Sequence, residues 1–416
     1  MERQLFVPAL LAFSALTLVR AGNAQPGGTW QTVASMPAAR QELATAVLDG
    51  KVYVIGGFDL RGFSTSTVFV YNPNTNAWSS AQPIPFAVNH GAAAVAAGKL
   101  YSFGAGGQAS VYNSDADSWA PIAPMNFQHG QTAAVGVIDD KIYVAGGTHG
   151  TATIAQLEVY DPRANSWSVR APMTVERNHT GGAVIGGKFY VVGGRGRQGS
   201  STQLEVYDPR TNTWSTRAPI PTGRSGIGVA AVSGELWVFG GEIPGIRGEV
   251  EAYNPVTNTW RSLPDMPNPR HGIWASVIGN RVYLPGGGAA EGFAATSGNQ
   301  VFIVDRKATF ANISTRLNVQ TGDNVMIVGF IVTGSGSKRI IIRARGPSVG
   351  VPGPLADPVL ELYNSDQKWW RRTTTGRTLR INRRSSTLRS HRRTIRNRRS
   401  HARRPDELHG DRPRRE

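Results

Sequence analysis

Apolar residues between positions 30 and 305 occur in short runs separated by polar turn residues, and long stretches with helical spacing are missing from this part of the sequence. One representative stretch, residues 180–219, contains four such runs: TGGAVIGG, KFYVVGG, QLEVYDP and TWSTRAP. Runs of this kind end at Gly, Asn-Pro, Asp-Pro or polar turns, residue types that stop a strand and reverse the chain. The pattern predicts four short antiparallel strands in this stretch and an all-β fold.

The same four-strand unit is repeated along the chain with a period of about 41–48 residues. Five units carry a Tyr seven residues before a Trp: Tyr71/Trp78, Tyr112/Trp119, Tyr160/Trp167, Tyr207/Trp214 and Tyr253/Trp260. Gly pairs follow the second apolar run at Gly56/Gly57, Gly146/Gly147, Gly193/Gly194, Gly240/Gly241 and Gly286/Gly287, and the second unit has the altered form Gly104-Ala105-Gly106-Gly107. Since one such sheet cannot bury both faces, the units must stack, and radial closure also protects their edges.

The sixth unit lacks its fourth strand at the expected place. Its third strand is Val301 to Asp305, in which Val304 takes the position of the Tyr, and the residue seven positions later is Ala311 instead of Trp. An unpartnered Trp30 lies in TWQTVASMP, which matches TWSTRAPIP of the fourth unit. The sequence therefore predicts six blades, with the N-terminal strand completing the last one.

The Gly pair, the Tyr and the Trp about 20 residues after the Gly pair resemble kelch repeats. The resemblance covers residues 30–305 and implies a six-bladed kelch-type β-propeller over residues 25–305. The Gly pairs let backbones approach closely, and the aromatic rings suit packing between stacked sheets.

The two ends of the chain differ from the repeats. Residues 1–24 read as a signal peptide, with Arg3, an apolar run from Leu5 to Val19, and small residues Gly22 and Ala24 before a cut at Gln25. This predicts a secreted, periplasmic or cell-surface protein with no membrane span after cleavage. A retained single-span anchor is the alternative.

Residues 306–367 are predicted to form a small, partial β module. The segments NISTR, TGDNVMIVGFIVTG, RGPS and LADPVLELYN resemble a module that recurs at the C-termini of exported bacterial proteins. The resemblance implies an accessory or surface-associated domain and no catalytic residues.

Most of the net charge of +17 comes from the C-terminal tail, where residues 368–416 contain 18 Lys and Arg against four Asp and Glu. This Arg-rich composition predicts disorder. Because a different reading frame of one possible coding sequence for residues 368–376 yields VVATNDNW, which continues LELYNSDQ sensibly, we interpret the tail as a frameshift product. No nucleic-acid partner is expected for the native, exported protein.

The candidate binding residues precede the innermost strand of each blade. The resemblance implies that these strands line a central channel. The candidates are Arg40, Gln41, Glu42, Asn89, His90, His129, Arg177, Asn178, His179, Arg224, Ser225, Arg270 and His271. The four Arg each lie 16 residues before a Gly pair and are therefore expected to form a ring at one mouth of the channel. Such a ring would suit an anion or sugar acid, but a repeated Arg can equally be a structural contact between blades.

The favoured functional hypothesis is a monomeric binding protein that recognises a saccharide or a protein partner at this polar mouth. One alternative is a sugar-acid mutarotase or epimerase, implied by resemblance to exported sialic-acid mutarotases, with Glu42 and His90 or His179 as acid and base. A structural adhesion or scaffold module is the other. Variable loops after the Gly pairs are assigned to the second face and are further contact candidates: Phe58 to Arg61, Thr148 to Gly150, Arg195 to Ser201 and Glu242 to Gly248.

No cofactor and no metal site are predicted. The histidines come from different blades, and their convergence cannot be derived from sequence spacing. The chain contains no Cys, which excludes disulfides, thiol nucleophiles and the Tyr–Cys crosslink of the copper oxidases that resemble kelch propellers. The match of Gly194 to Gly199 to GxGxxG precedes a Ser-rich loop and a strand instead of a helix, so we interpret it as a loop of the repeat.

Overall fold

The structure, a computed structural model of the chain, describes residues 27–305 and the backbone of four short strands between residues 339 and 382. Within residues 27–305, the short apolar runs form six four-stranded antiparallel sheets, the blades of a propeller. In blades 1 to 5 the strands pair in chain order from the innermost to the outermost. The predicted all-β, six-bladed architecture is confirmed.

The blade strands have the following bounds. Blade 1 comprises Ala44–Leu48, Lys51–Ile55, Val68–Asn72 and Ala77–Ala81; blade 2 comprises Ala92–Ala96, Lys99–Phe103, Ala109–Asn113 and Ser118–Pro121; blade 3 comprises Ala134–Ile138, Lys141–Ala145, Leu157–Asp161 and Ser166–Arg170. Blade 4 comprises Gly181–Ile185, Lys188–Val192, Leu204–Asp208 and Thr213–Thr216; blade 5 comprises Gly228–Val232, Glu235–Glu242, Ile246–Asn254 and Thr259–Leu263; blade 6 comprises Ser276–Ile278, Arg281–Pro285, Asn299–Val304 and Gly28–Val33. The loops of blades 3 and 4 each contain a small hairpin of two-residue strands: Thr148–His149 with Ala152–Thr153, and Arg195–Gly196 with Gly199–Ser200. A short 3-10 turn, Ala105–Gly107, lies in blade 2.

The N-terminal strand closes the ring, as the unpartnered Trp30 predicted. Gly28–Val33 pairs antiparallel with Asn299–Val304, and the first strands of consecutive blades contact one another around a complete circle. The expectation that Val304 takes the place of the Tyr is wrong, because the register sets Phe302 opposite Trp30, with ring centroids 5.0 Å apart. The aromatic pair of blade 6 is therefore assembled from the two ends of the repeat region.

In five of the six blades, a Gly pair joins the blade to the next one. Both residues of the first pair have left-handed φ values, 62° at Gly56 and 91° at Gly57, and the N–H of Gly57 donates to the carbonyl of Val88 at 2.8 Å. The same contact from blade 6 to blade 1 runs from Gly287 to the carbonyl of Arg40 at 2.8 Å. A side chain at Gly56 would meet the Val88 carbonyl oxygen at 2.4 Å. Only glycine combines this φ with such close approach.

The repeated Tyr and Trp lie in the packing between blades, in agreement with the sequence interpretation. In blade 1, Trp78 Nε1 donates to the carbonyl of Ala34 at 2.8 Å, and the hydroxyl of Tyr71 donates to Asn76 Oδ1 at 2.7 Å. Trp30 makes the equivalent bond to the carbonyl of Pro264 at 2.9 Å. The remaining indole bonds run from Trp119 to Gln82, Trp167 to Ala123, Trp214 to Ala171 and Trp260 to Ala218.

The C-terminal part of the chain contains two pairs of short strands. Arg339–Ile342 pairs with Leu379–Asn382, and Leu360–Tyr363 pairs with Trp369–Thr373. Two of these strands, Trp369–Thr373 and Leu379–Asn382, lie within the segment for which disorder is predicted, and the disorder of residues 368–416 stays a prediction. The predicted signal peptide, most of the predicted module and residues 383–416 lie outside the described residues. No helix in the described part of the chain is long and apolar enough to cross a membrane.

Candidate functional site at the channel mouth

Six residues, one before the inner strand of each blade, surround the channel in a circle that we call the mouth ring. They share a left-handed φ between 49° and 64°: Glu42, His90, Thr132, His179, Gly226 and Gly272. Backbone hydrogen bonds of 2.7–3.2 Å link each blade to the previous one, for example from Glu42 N–H to the carbonyl of Gly272 and from His90 N–H to the carbonyl of Glu42. At blade 4, His179 N–H instead donates to the carbonyl of Gln131, beside Thr132. Left-handed non-glycine residues cost about 1–3 kcal/mol each and persist where the surrounding structure holds them.

Side chains from the mouth ring and from the residues beside it converge on a polar group that we call the channel cluster: Glu42, His90, His179, Arg195, Glu242 and His271. Glu42 Oε2 lies 3.4 Å from His90 Nε2, and Glu42 Oε1 lies 3.7 Å from His271 Nε2. His271 Nε2 also lies 3.5 Å from Glu242 Oε2. Two carboxylates, three imidazoles and one guanidinium therefore share one small volume.

Arg195 connects two parts of this cluster. Its Nη1 lies 2.8 Å from Glu242 Oε1, and its Nη2 lies 2.8 Å from His179 Nε2. The Arg195 side chain is 28% exposed, whereas those of Glu242 and His179 are buried. Arg195 is the permanent cation of the cluster, and its side chain is more exposed to solvent than those of Glu42, His90, Glu242 and His271.

Two asparagines orient two of the imidazoles. His90 Nδ1 lies 2.5 Å from Asn89 Oδ1, and His179 Nδ1 lies 2.6 Å from Asn178 Oδ1. An amide oxygen only accepts, so Nδ1–H donates and the lone pair is left on Nε2 in both rings. For His90 that lone pair faces Glu42, and for His179 it accepts from Arg195.

Burial controls the protonation of the cluster. It raises the pKa of Glu42 to about 7, an effect that the nearby His271 partly opposes. Burial, followed by the charge of Arg195, lowers the pKa of His90 to about 3, and burial holds the pKa of His179 well below its ordinary value. At neutral pH the rings of His90 and His179 are therefore uncharged. The pKa of Glu42 lies near neutral pH, so its carboxyl group is partly protonated there.

The four candidate arginines are inside the blades. Arg177 is fully buried, with Nη1 2.7 Å from Glu205 Oε2, and Arg224 pairs in the same way with Glu251. Arg270 Nη2 donates to Gln300 Oε1 at 2.8 Å and to the carbonyl of Leu284 at 3.0 Å. Arg40 Nη1 donates to the carbonyl of Ala39 at 2.7 Å, and its guanidinium lies over the ring of Phe69. The repeated Arg thus braces four of the six blades internally and is not a ring of exposed charge at the mouth.

His129 takes the place of this brace in blade 3. Its Nδ1 donates to the carbonyl of Gly146 at 2.7 Å, and its Nε2 lies 3.2 Å from Glu158 Oε2. Glu158 is the blade 3 counterpart of Glu205, since both occupy the second position of a third strand. The structure therefore brings three of the four candidate histidines into the channel cluster and leaves His129 outside it.

The other polar candidates hold loops. The side chain of Gln41 bonds to the backbone of Gly292 and Ala294 in the loop of blade 6, both at 2.7 Å. Asn89 Nδ2 donates to Ser64 Oγ at 2.6 Å, and Asn178 Nδ2 donates to Thr153 Oγ1 at 2.8 Å. Ser225 Oγ lies 3.4 Å from Arg195 Nη1. Their hydrogen-bonding groups are therefore largely engaged within the propeller.

The loops after the Gly pairs lie on the same face as the channel cluster, so their assignment to a second face is wrong. Gln41 forms a β-bridge with Phe58, Asn178 with Arg195, and His271 with Gly288. The reason is the hairpin: the start of a first strand and the end of an antiparallel second strand meet at one end of the sheet. The position directly after the Gly pair supplies Arg195 in blade 4 and Glu242 in blade 5, the two cluster members that the sequence placed in second-face loops and not among the mouth residues. This fixed offset in the repeat is the signal that could have placed them at the mouth.

Apolar side chains stand exposed beside the cluster. We call Phe58, Leu60, Phe63 and Phe293 the apolar arc; Leu60, Phe63 and Phe293 are 75%, 62% and 70% exposed. Phe58 joins the two features, with its ring centroid 5.1 Å from that of Phe293 and 5.4 Å from that of His90. The mouth therefore has an apolar side, contributed by the loops of blades 1 and 6, next to a charged centre.

Comparison with known families identifies the repeats. The kelch motif model matches residues 39–85, and the model of the KLHDC2/KLHL20/DRC7 Kelch-repeats domain matches residues 89–287. The chain is 32% identical over 142 residues to Kelch-like protein terF of Aspergillus terreus, covering 29% of this chain and 31% of that protein. It is 36% identical over 127 residues to Kelch-like protein 35 of Mus musculus, covering 29% of this chain and 22% of that protein. The matched part thus spans less than a third of the length of these relatives.

Among solved structures, the one titled "Structure of YjhT" matches 64% of this chain and 96% of its own length with a TM-score of 0.55 and 16% identity. At this identity the likeness shows the fold alone.

Proposed function

We propose that this chain, whose blades are kelch repeats closed into a six-bladed propeller, is a binding module that recognises a segment of a partner protein at the channel mouth. The apolar arc carries the proposal. Three large apolar side chains stand mostly exposed on loops of adjacent blades, one of them packed against Phe58, and exposed apolar surface of this kind is typical of protein interaction sites.

The arc and the channel cluster together suit a peptide better than a small polar ligand. Aromatic side chains are enriched in the centres of protein interfaces, where they fill pockets and exclude water. Arg195, with its side chain 28% exposed, lies across the mouth from them and offers a donor to a peptide carbonyl or carboxylate. We therefore expect an extended segment with an apolar anchor and an acceptor group at the mouth.

A saccharide ligand, predicted from the polar residues before the inner strands, has weaker support. Gln41, Asn89 and Asn178 already bond to neighbouring loops, which leaves fewer donors and acceptors for hydroxyl groups. The mutarotase alternative finds no support, because the four arginines meant to hold a sugar carboxylate are buried in the blades. Export, by the segment 1–24, and a monomeric state remain part of the proposal.

Selection of a random peptide library on the immobilised full-length protein tests the proposal, followed by fluorescence anisotropy of the selected peptides. We expect Phe63→Ser and Phe293→Ser each to weaken binding about tenfold or more, as loss of an interface anchor does. Val256→Ser is the matched control, because Val256 is 92% exposed in the turn after the third strand of blade 5, at the end away from the mouth.

Equal binding by the arc variants and the wild-type protein would contradict the proposal. A glycan array run in parallel tests the saccharide alternative. A glycan that binds the wild-type protein and displaces the selected peptides would share the mouth with them, whereas a glycan that binds without displacing them would occupy another surface.

A further inference from the structure

The channel cluster holds three potential metal ligands in a compact arrangement. One oxygen of Glu42, one ring nitrogen of His90 and one of His179 all lie within 4.8 Å of one another. Glu42 Oε2 and His90 Nε2 are 3.4 Å apart, and the ring centroids of His90 and His179 are 4.8 Å apart. Ligand atoms bound at about 2.0–2.2 Å to a tetrahedral ion lie about 3.3–3.6 Å from each other. A small contraction therefore brings the three atoms to coordination distance.

The two imidazoles are already in the form that a metal requires. Asn89 and Asn178 accept from Nδ1–H, which directs the Nε2 lone pairs of His90 and His179 into the channel. Each asparagine is fixed in turn, by Ser64 and by Thr153. A second ring nitrogen bonded to a fixed acceptor is the usual arrangement around metal-binding histidines, because it sets tautomer and ring orientation.

The backbone also holds these side chains in place. Glu42, His90 and His179 belong to the mouth ring, with left-handed φ values of 51°, 50° and 49°, although none of them is glycine. At each of these three residues, the backbone N–H donates to a carbonyl group of another blade, and this bond holds the conformation in place. Costly backbone geometry at residues whose side chains converge is characteristic of functional sites.

We propose that Glu42, His90 and His179 bind a divalent transition-metal ion of the zinc class at the mouth of the channel. Two imidazole nitrogens and one carboxylate oxygen form a donor set typical of zinc and of its cobalt substitute. The ion would link three blades that are not all adjacent, and this role goes beyond the partner binding proposed above.

Arg195 competes with the ion. Its Nη2 donates to His179 Nε2, the same lone pair that the metal needs, while its Nη1 holds Glu242. Binding of the ion requires this guanidinium to leave His179, and its position in a short surface hairpin leaves it the room to do so. Removal of Arg195 should therefore tighten metal binding, an effect opposite to that of removing a ligand.

A second set, Glu42, Glu242 and His271, also lies within 4.8 Å. His271 Nδ1 is buried and has no hydrogen-bond partner among the described residues, so no acceptor holds a proton on Nδ1 and leaves the Nε2 lone pair free for a metal. Its Nε2 faces the carboxylates of Glu42 and Glu242, and an N–H on this nitrogen interacts favourably with both without a metal ion. The set with two oriented histidines is therefore the one that we assign.

The test uses untagged, full-length protein stripped with EDTA and dialysed, with Zn²⁺ binding measured by calorimetry and Co²⁺ binding measured by visible absorption. We expect one ion per chain and a Co²⁺ spectrum with nitrogen ligation. Glu42→Gln and His90→Gln should each weaken binding at least tenfold, and Arg195→Met should strengthen it several-fold. His149→Gln is the matched control, an exposed histidine on the same face that lies outside the cluster.

Three results would overturn the assignment: no stoichiometric binding by the wild-type protein, unchanged binding in both ligand variants, or loss of binding in His271→Gln with retention in His90→Gln. Circular dichroism verifies folding of each variant. If the ligand variants do not fold, Arg195→Met decides the outcome, because unchanged or weaker affinity would contradict competition for the lone pair of His179. Peptide binding is measured separately on the stripped protein, so failure of one proposal leaves the other to be judged alone.

Discussion

At the scale of single residues, the repeated arginine shows how similar sequence positions acquire a structural role. Arg177 lies without solvent exposure against Glu205, which is equally buried. The Arg177 guanidinium also donates to the carbonyl of Val191 on the neighbouring strand. A buried pair of this kind contributes little net stability compared with an apolar pair, but loss of one partner leaves a buried charge without compensation.

We therefore expect Arg177→Met to lower the free energy of unfolding by about 3–5 kcal/mol. The double variant Arg177→Met with Glu205→Leu should recover most of that loss, since it removes both charges. Urea unfolding followed by tryptophan fluorescence measures the effect, and Arg210→Met, in an exposed pair with Asp208, is the control that should change little. A double variant as unstable as the single one would show that shape, and not the unpaired charge, decides the cost.

At the scale of the blade, the Gly pair couples the end of the second strand to the polypeptide before the inner strand. Gly194 and Gly199, both in blade 4, have the same φ of 90°. A Cβ at Gly194 would lie 2.6 Å from the carbonyl oxygen of Asn178, whereas a Cβ at Gly199 would have nothing within 4 Å. The two positions therefore separate backbone strain from steric conflict.

Gly199→Ala should lower the free energy of unfolding by about 1–3 kcal/mol through the left-handed φ alone. Gly194→Ala should add about 1–3 kcal/mol more, because the new methyl group forces neighbouring backbone apart. Thermal unfolding of the two variants measures the difference. Equal destabilisation would contradict the interpretation that close backbone approach is the reason for the second Gly.

At the scale of the whole molecule, closure joins the two ends of the repeat region. Gly28–Val33 forms the outer strand of blade 6, and Trp30 packs edge-on against Phe302 and Phe239 while its indole donates to blade 5. A blade without its outer strand exposes an unpaired strand edge and part of the interblade core. The fold therefore depends on a segment that is far in sequence from the blade it completes.

We expect deletion of residues 1–24 to leave cooperative unfolding intact, and deletion of residues 1–33 to lower the midpoint of thermal unfolding strongly and broaden the transition. Differential scanning calorimetry with size-exclusion chromatography compares the two truncations, and the deletion of residues 1–24 is the control. A normal, sharp transition without residues 25–33 would mean that the N-terminal strand is dispensable for closure.

The architecture followed from local features of the sequence. Gly pairs, Asn-Pro and Asp-Pro turns and the Tyr-to-Trp spacing each act within one unit, where the distance along the chain is short and strand pairing follows directly. The unpartnered Trp30 was enough to predict closure, because the number of strands per blade is constant. The position of Phe302 opposite Trp30 was missed, since register depends on the exact pairing of distant strands.

The site depended on the tertiary structure. Arg177 and His179 are two residues apart, yet one side chain lies inside a blade and the other in the channel. This division follows from the left-handed φ at His179 and from bonds to other blades, neither of which the spacing contains. The sequence by itself determined the repeat, the six blades and the residues near the mouth. The tertiary structure alone decided which of those residues meet, because side-chain direction is set by hydrogen bonds between units far apart in the chain.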